Sequence, residues 1–267
     1  MIRDRNAPIG VFDSGLGGLS VWRELDAMIP AENVLYIADS AYVPYGTRPP
    51  EEIRARSIAV SQFLIDRGVK LVVVACNTAS AIAIDDLRAT FPDTQFVGLE
   101  PAVKPAVGMS LTGRVGVLAT PRTVAGDRLR VLIESWADGV KVHSIAGNGM
   151  VELVESGVLE GEPVDAVLAP ILDPIVEQDV DVLVLGCTHY PFLRNAIEAY
   201  VGDDIRVIDS GEAIARRTMN LLQKDRLLHV RGVMGSLEMF TTGDAVGASR
   251  VASLLLGREI RVKHVDL

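Results

Sequence analysis

Positive charge is in short supply in this chain, with 26 Lys and Arg against 35 Asp and Glu and a formal net charge of −9. Broad binding to a phosphate backbone rests on concentrated cationic side chains, so no nucleic-acid partner is expected. Long apolar runs are missing too. No stretch reaches the roughly 18 residues of a membrane span, and the opening "MIRDRNAPIGVF" carries charge without a hydrophobic signal core. No membrane partner is expected, and the location is read as cytoplasmic. Low-complexity tracts and like-charge blocks are absent, which leaves a chain folded throughout. Cysteine occurs only twice, as Cys76 and Cys187. Two thiols so far apart, without a secretory signal, are expected to be reduced rather than joined in a structural disulfide.

What is present is a regular alternation. Short runs rich in Val, Ile and Leu ("PIGVF", "NVLYIA", "LVVVA", "QFVGL", "RVGVLA", "VKVHSIA", "VLVLG", "IRVID") are separated by helical patterns. Continuous apolar strands of this kind are what a parallel sheet covered on both faces requires, so the class is α/β. The strand ends also repeat. Phe12 and Leu118, Cys76 and Cys187, and Glu100 and Asp209 each close matched strands a little over a hundred residues apart, which points to internal duplication. The expected architecture is two similar lobes, each a mostly parallel sheet flanked by helices, related by a pseudo-twofold with the active site between them. The first lobe would span residues 1–102 joined by 213–267, and the second 103–212.

In open α/β sheets the carboxyl ends of the strands form the binding edge, where helix N-termini offer unpaired N–H groups. Both cysteines fall on that edge. A thiol there is expected to have its pKa lowered from about 8.5 toward neutrality, making a usable base or nucleophile. Three uses of the pair are open: a disulfide, a zinc site formed with His189, or two thiols flanking an organic substrate. No CxxC or HxxxH accompanies them, which weighs against a metal. "FDSGLGGLSV" gives a second candidate feature. Its G-x-G-G spacing is not a dinucleotide fingerprint, but glycines before a helix let the backbone approach an anion closely, and Asp13 could meet a substrate ammonium or govern a nearby proton. "DSAYVPYGTRP", with two prolines and a glycine, is expected to be a rigid loop on the same edge. His189, two residues past Cys187, could orient or reprotonate that thiol.

Together "GVFDSGLGGLSV", "PYG", "ACNTASA", "VELVESG", "LGCTHYPFL", "VIDS" and "FTTGD" resemble the glutamate racemases of the aspartate/glutamate racemase family, along essentially the whole chain. The resemblance implies cofactor-independent interconversion of L- and D-glutamate for peptidoglycan synthesis, by a homodimer, with Cys76 and Cys187 as opposed acid and base. By the same resemblance Asp13 assists Cys76, His189 partners Cys187, and Glu155 is a supporting acid. Substrate contacts are implied at Asp13, Ser14, Tyr45, Gly46, Asn77, Thr78, Thr123, Thr188 and His189. Two departures stand out: Glu152 occupies a position where proline is expected, and the stretch after Thr123 lacks the usual serine and aromatic. The chemistry suits two thiols, because inverting a carbon means removing a proton from one face and returning one to the other. Hydroxyls and backbone N–H groups of Ser14, Thr78 and Thr188 would stabilise the charge that develops on the α-carboxylate. Neither a metal nor an organic cofactor is expected, and the five lysines show no evident Schiff-base motif. An aspartate racemase, a maleate isomerase-like relative, a Cys2His zinc lyase and a non-catalytic two-lobed binding module are the alternatives.

Overall fold

A computed structural model describes residues 4–229 and 232–267. The first half runs β1 (Ile9–Asp13), α1 (Leu19–Met28), β2 (Val34–Ala38), α2 (Pro50–Asp66), β3 (Leu71–Val74), α3 (Asn77–Thr90) and β4 (Phe96–Gly98). The second runs α4 (Val103–Met109), β5 (Arg114–Ala119), α5 (Pro121–Val124), α6 (Asp127–Trp136), β6 (Lys141–Ala146), α7 (Met150–Ser156), α8 (Glu162–Val176), β7 (Val182–Leu185), α9 (Arg194–Val201) and β8 (Arg206–Ile208). The chain then adds α10 (Gly211–Lys224), β9 (Leu237–Thr241), α11 (Ala245–Leu256) and β10 (Val262–His264). Every apolar run named from the sequence forms a strand. Neither β9 nor β10 was among those runs; β10, three residues with an exposed Lys263 and His264, gives no apolar pattern.

Two parallel sheets result. The larger has the order β10-β9-β2-β1-β3-β4 and the smaller β6-β5-β7-β8. The order 2-1-3-4 of the first sheet recurs in the second as 6-5-7-8, so the repeat seen in the strand ends is a repeat of topology. β9 and β10 extend the first sheet beyond β2. β1, β2, β3 and β7 are buried along their whole length, the reason their sequences are continuously apolar.

Alternation along each strand sorts side chains into layers. Leu71, Val73 and Ala75 of the first lobe and Leu183, Leu185 and Cys187 of the second join one apolar core that runs through both lobes, together with residues of α1, α7, α8 and α10. Val72, Val74 and Cys76 face a separate layer with α2 and α3. Val182 and Val184 face another with α4 and α6. Among the described residues, no helix is long and apolar enough to cross a membrane.

Candidate active site

Strand β1 delivers Asp13 to the sheet edge, where it is fully buried. Its Oδ2 accepts from Gly18 N–H at 2.7 Å and from the Thr188 hydroxyl of the other lobe at 3.4 Å, while the Ser14 hydroxyl donates to Oδ1 at 3.5 Å. Burial raises its pKa against the lowering influence of His189 and the Gly18 N–H.

Cys76 follows β3 and caps α3 with its own sulfur, which accepts from Ala79 N–H at 3.4 Å. The sulfur also lies 3.9 Å from the Ser14 hydroxyl. A lowered pKa was expected here, and the structure reverses it. Burial, followed by the charge of Asp13, pushes the thiol well above its ordinary range, and the single N–H bond at the cap does not offset them. A sequence shows the helix start but not how much of the protein closes over it.

Cys187 follows β7. A 3-10 turn over Tyr190–Leu193 separates it from α9, so it is not a helix cap as Cys76 is. Its sulfur lies 3.7 Å from Nδ1 of His189, whose Nε2 is 2.7 Å from Glu155 Oε1. Burial alone would drive the proton off His189, but the hydrogen bonds to Cys187 and Glu155 outweigh it and hold the imidazole pKa well above 6.5. Glu155 Oε1 also accepts the Leu16 N–H at 2.6 Å, so one carboxylate ties the second lobe's histidine to the first lobe's glycine turn.

That turn has a use other than anion binding. A Cβ on Gly15 would collide with the Glu155 carboxylate, and one on Gly17 with the His189 ring. These glycines are places where the second lobe's acid–base pair presses against the first lobe's backbone. Gly46 does the same on the other side, where a Cβ would come within 2.7 Å of Thr120. Ser20 adds a further interlobe tie by donating to the Thr188 carbonyl at 2.8 Å.

The remaining expected residues gather around this junction. Thr78 and Thr123 are buried in a hydroxyl cluster completed by Thr120, with oxygen separations of 3.0 Å (Thr78–Thr120), 3.0 Å (Thr120–Thr123) and 3.4 Å (Thr78–Thr123). Thr120 was missed in the sequence, although its place before Pro121 marks it as the cap of α5. Asn77 Oδ1 is buried without a partner among the described residues, an acceptor of the kind a ligand donor would satisfy. Tyr45 is buried, but its hydroxyl donates to Asp39 at 2.6 Å, so it offers a ligand its backbone rather than its phenol. Glu152 is exposed in the first turn of α7.

For a zinc site the donors are ill arranged. Both His189 nitrogens already face Cys187 and Glu155, and among the described residues no group of three or more His, Cys, Asp and Glu side chains could hold a metal ion. Both cysteines are free and buried. A cavity of about 480 Å³ lies where the chain crosses between lobes, beside Leu99, Pro101 and Ser210, and neither cysteine lines it.

Comparison with known proteins gives a consistent result. A profile described as Asp/Glu/Hydantoin racemase matches residues 9–218. A glutamate racemase of Roseiflexus is 48% identical over 260 residues, spanning 97% of this chain and 94% of that protein. Among solved structures, a glutamate racemase isoform of Bacillus anthracis superposes with a TM-score of 0.88 at 32% identity, covering 98% of each chain. Glutamate racemase of Escherichia coli, solved with L-glutamate and the activator UDP-MurNAc-ala, superposes with a TM-score of 0.85 at 32% identity over 97% of each chain.

Proposed function

This chain belongs to the Asp/Glu/hydantoin racemase family, and from that premise we propose that it interconverts L- and D-glutamate by proton transfer between Cys76 and Cys187. The observation that carries the reading is that the two thiols close topologically equivalent strands in two lobes packed edge to edge, each with an acid–base partner of its own. One sulfur, as thiolate, removes the Cα proton. The electron pair moves into the α-carboxylate, and the other sulfur, as thiol, donates its proton to the opposite face. By the resemblance to glutamate racemases, Cys187 would deprotonate L-glutamate and Cys76 D-glutamate.

Asp13 and His189 supply what each thiol needs. Burial increases the affinity of Asp13 for a proton, which makes it a better acceptor for the proton that Cys76 must lose. His189 retains a proton beside Cys187 and is held in place by Glu155. Asn77, Thr78, Thr123, Ser14, Thr188 and the backbone at Tyr45 and Gly46 would bind the substrate's polar groups. No organic cofactor enters these steps, because the charge is carried by the substrate's own carboxylate. With Cys76 at 5% and Cys187 at 6% exposure, glutamate would enter as the lobes part and react once they close and exclude water.

The same reading carries the rest of the assignment: a cytoplasmic homodimer that supplies D-glutamate for peptidoglycan. Its lobes would divide after residue 102 and again after 212, a division supported by the return of β9 and β10 to the first sheet. The test is deuterium wash-in. In D2O, each glutamate enantiomer should gain deuterium at Cα as optical rotation decays. Exchange with aspartate but not glutamate would move the substrate assignment to aspartate, and binding without exchange would remove catalysis altogether.

A further inference from the structure

Two stretches marked by the sequence, the loop after β2 and "FTTGD" in the tail, take no part in the proton transfer, yet the structure joins them at one buried carboxylate. Asp39, at the end of β2, is fully buried and accepts four hydrogen bonds. Its Oδ2 takes the Tyr45 hydroxyl at 2.6 Å and Arg56 Nε at 3.0 Å, and its Oδ1 takes Arg56 Nη2 and the Thr242 hydroxyl, each at 2.8 Å. Arg56 comes from α2, Thr242 from the residue after β9, and Tyr45 from the middle of the loop between Asp39 and α2.

Such an arrangement does not follow from stability alone. A buried ion pair gains little over an apolar packing of the same shape, because desolvating both charges offsets their attraction; its best-attested value is in fixing one geometry among several. The geometry fixed here is that of Tyr45 and Gly46. Gly46 lies so close to the Thr120 side chain of the other lobe that its missing Cβ is required, and Thr120 in turn bonds Thr78. A loop displaced by an ångström at Tyr45 would lose that contact and the placement of its backbone groups. Both the guanidinium and the phenol are held in the forms this network needs: the Asp39 hydrogen bond keeps Arg56 charged, and burial followed by Asp39 keeps Tyr45 a neutral donor.

We propose that Asp39, clamped by Arg56 and Thr242, is a positioning residue that holds the Tyr45–Gly46 backbone in its substrate-binding place through the Tyr45 hydroxyl. The inference rests on the assignment of glutamate as substrate only for its kinetic readout. The experiment compares Tyr45→Phe, Asp39→Asn and their double variant with native protein, and adds Thr242→Val with Thr242→Ser as the conservative rescue. Losing a hydrogen bond to a charged group should raise KM for both glutamate enantiomers about tenfold in Tyr45→Phe. Turnover should stay within about threefold and Tm within about 3 °C. The double variant should be no worse than the worse single, since both remove one linkage. Amide hydrogen exchange at residues 43–48 in ligand-free protein should quicken about tenfold in both single variants. Thr242→Val should show the same changes in smaller degree, and Thr242→Ser should restore them. Unchanged exchange at 43–48 in Tyr45→Phe, additive effects in the double variant, or turnover falling in step with Tm would overturn the proposal. If native protein exchanges no α-hydrogen of glutamate, the substrate assignment fails, while the amide exchange still decides the role of Asp39.

Discussion

Cys76 caps α3 and packs into the layer beneath α2 and α3, with Asp13 as its charged neighbour, whereas Cys187 lies in the core shared by both lobes, beside a histidine that keeps its proton. The two follow topologically equivalent strands, yet only Cys76 opens directly into a helix, and their polar neighbours differ. Duplication supplies symmetric positions for the sulfurs. On the proposed mechanism the partners differ because the mirror-related substrates present their protons to different lobes, and one thiol must lose its proton while the other keeps one. Asp13 is a proton acceptor of raised affinity, and His189 is a proton holder. The repeat thus placed the two sulfurs after equivalent strands, and residues from elsewhere in the chain gave each a different neighbourhood.

The sharpest way to break this comparison is to remove one side. Cys76→Ala and Cys187→Ala should each lower racemisation by about 10³-fold or more, followed by the decay of optical rotation, because each removes the acid or base on one face. Native activity in either variant would end the two-thiol reading. Gly17→Ala drives a methyl group into the His189 ring, so turnover should fall about 10²-fold and stability by about 1–3 kcal/mol. Gly108, where an added Cβ meets nothing, is the control position.

Asp13→Asn and His189→Asn should be milder, with kcat/KM down about tenfold or more. The loss must be equal in the two directions, since the equilibrium constant of a racemisation is unity by mirror symmetry. The difference between the sides should instead emerge in primary isotope effects. Asp13→Asn should enlarge the effect for α-deuterated D-glutamate, and His189→Asn for the L enantiomer. An identical change in both variants would show that the partners are not assigned one to each thiol.

The smallest effects concern stability against pH. Both Asp13 and His189 have folded pKa values raised above their ordinary 3.8 and 6.5. Each therefore contributes stability that is complete below its ordinary value and is lost as pH rises through the higher folded one. For Asp13 the loss begins on the acid side, so Asp13→Asn should melt above native protein at neutral pH, and the gap should close as pH falls. For His189 the loss lies on the alkaline side, so His189→Asn should flatten the decline of Tm there. Melting curves from about pH 3 to about pH 10 would separate the two.

Much of this was legible in the chain as text. The apolar runs became strands because a sheet buried on both faces leaves no position for a polar residue, and the cysteines fell at strand ends because that is where each apolar run stops. The repeat of strand ends anticipated the repeated strand order for the same reason. Four features came only from tertiary structure: the raised thiol of Cys76, the use of Gly15 and Gly17 to admit Glu155 and His189, the joining of Thr120 to Thr78, and the convergence of Tyr45, Arg56 and Thr242 on Asp39. Local sequence determines backbone conformation and the periodicity of burial. Desolvation, steric room and hydrogen-bond partners depend on which distant segment arrives at a given place, and that is decided only when the lobes pack.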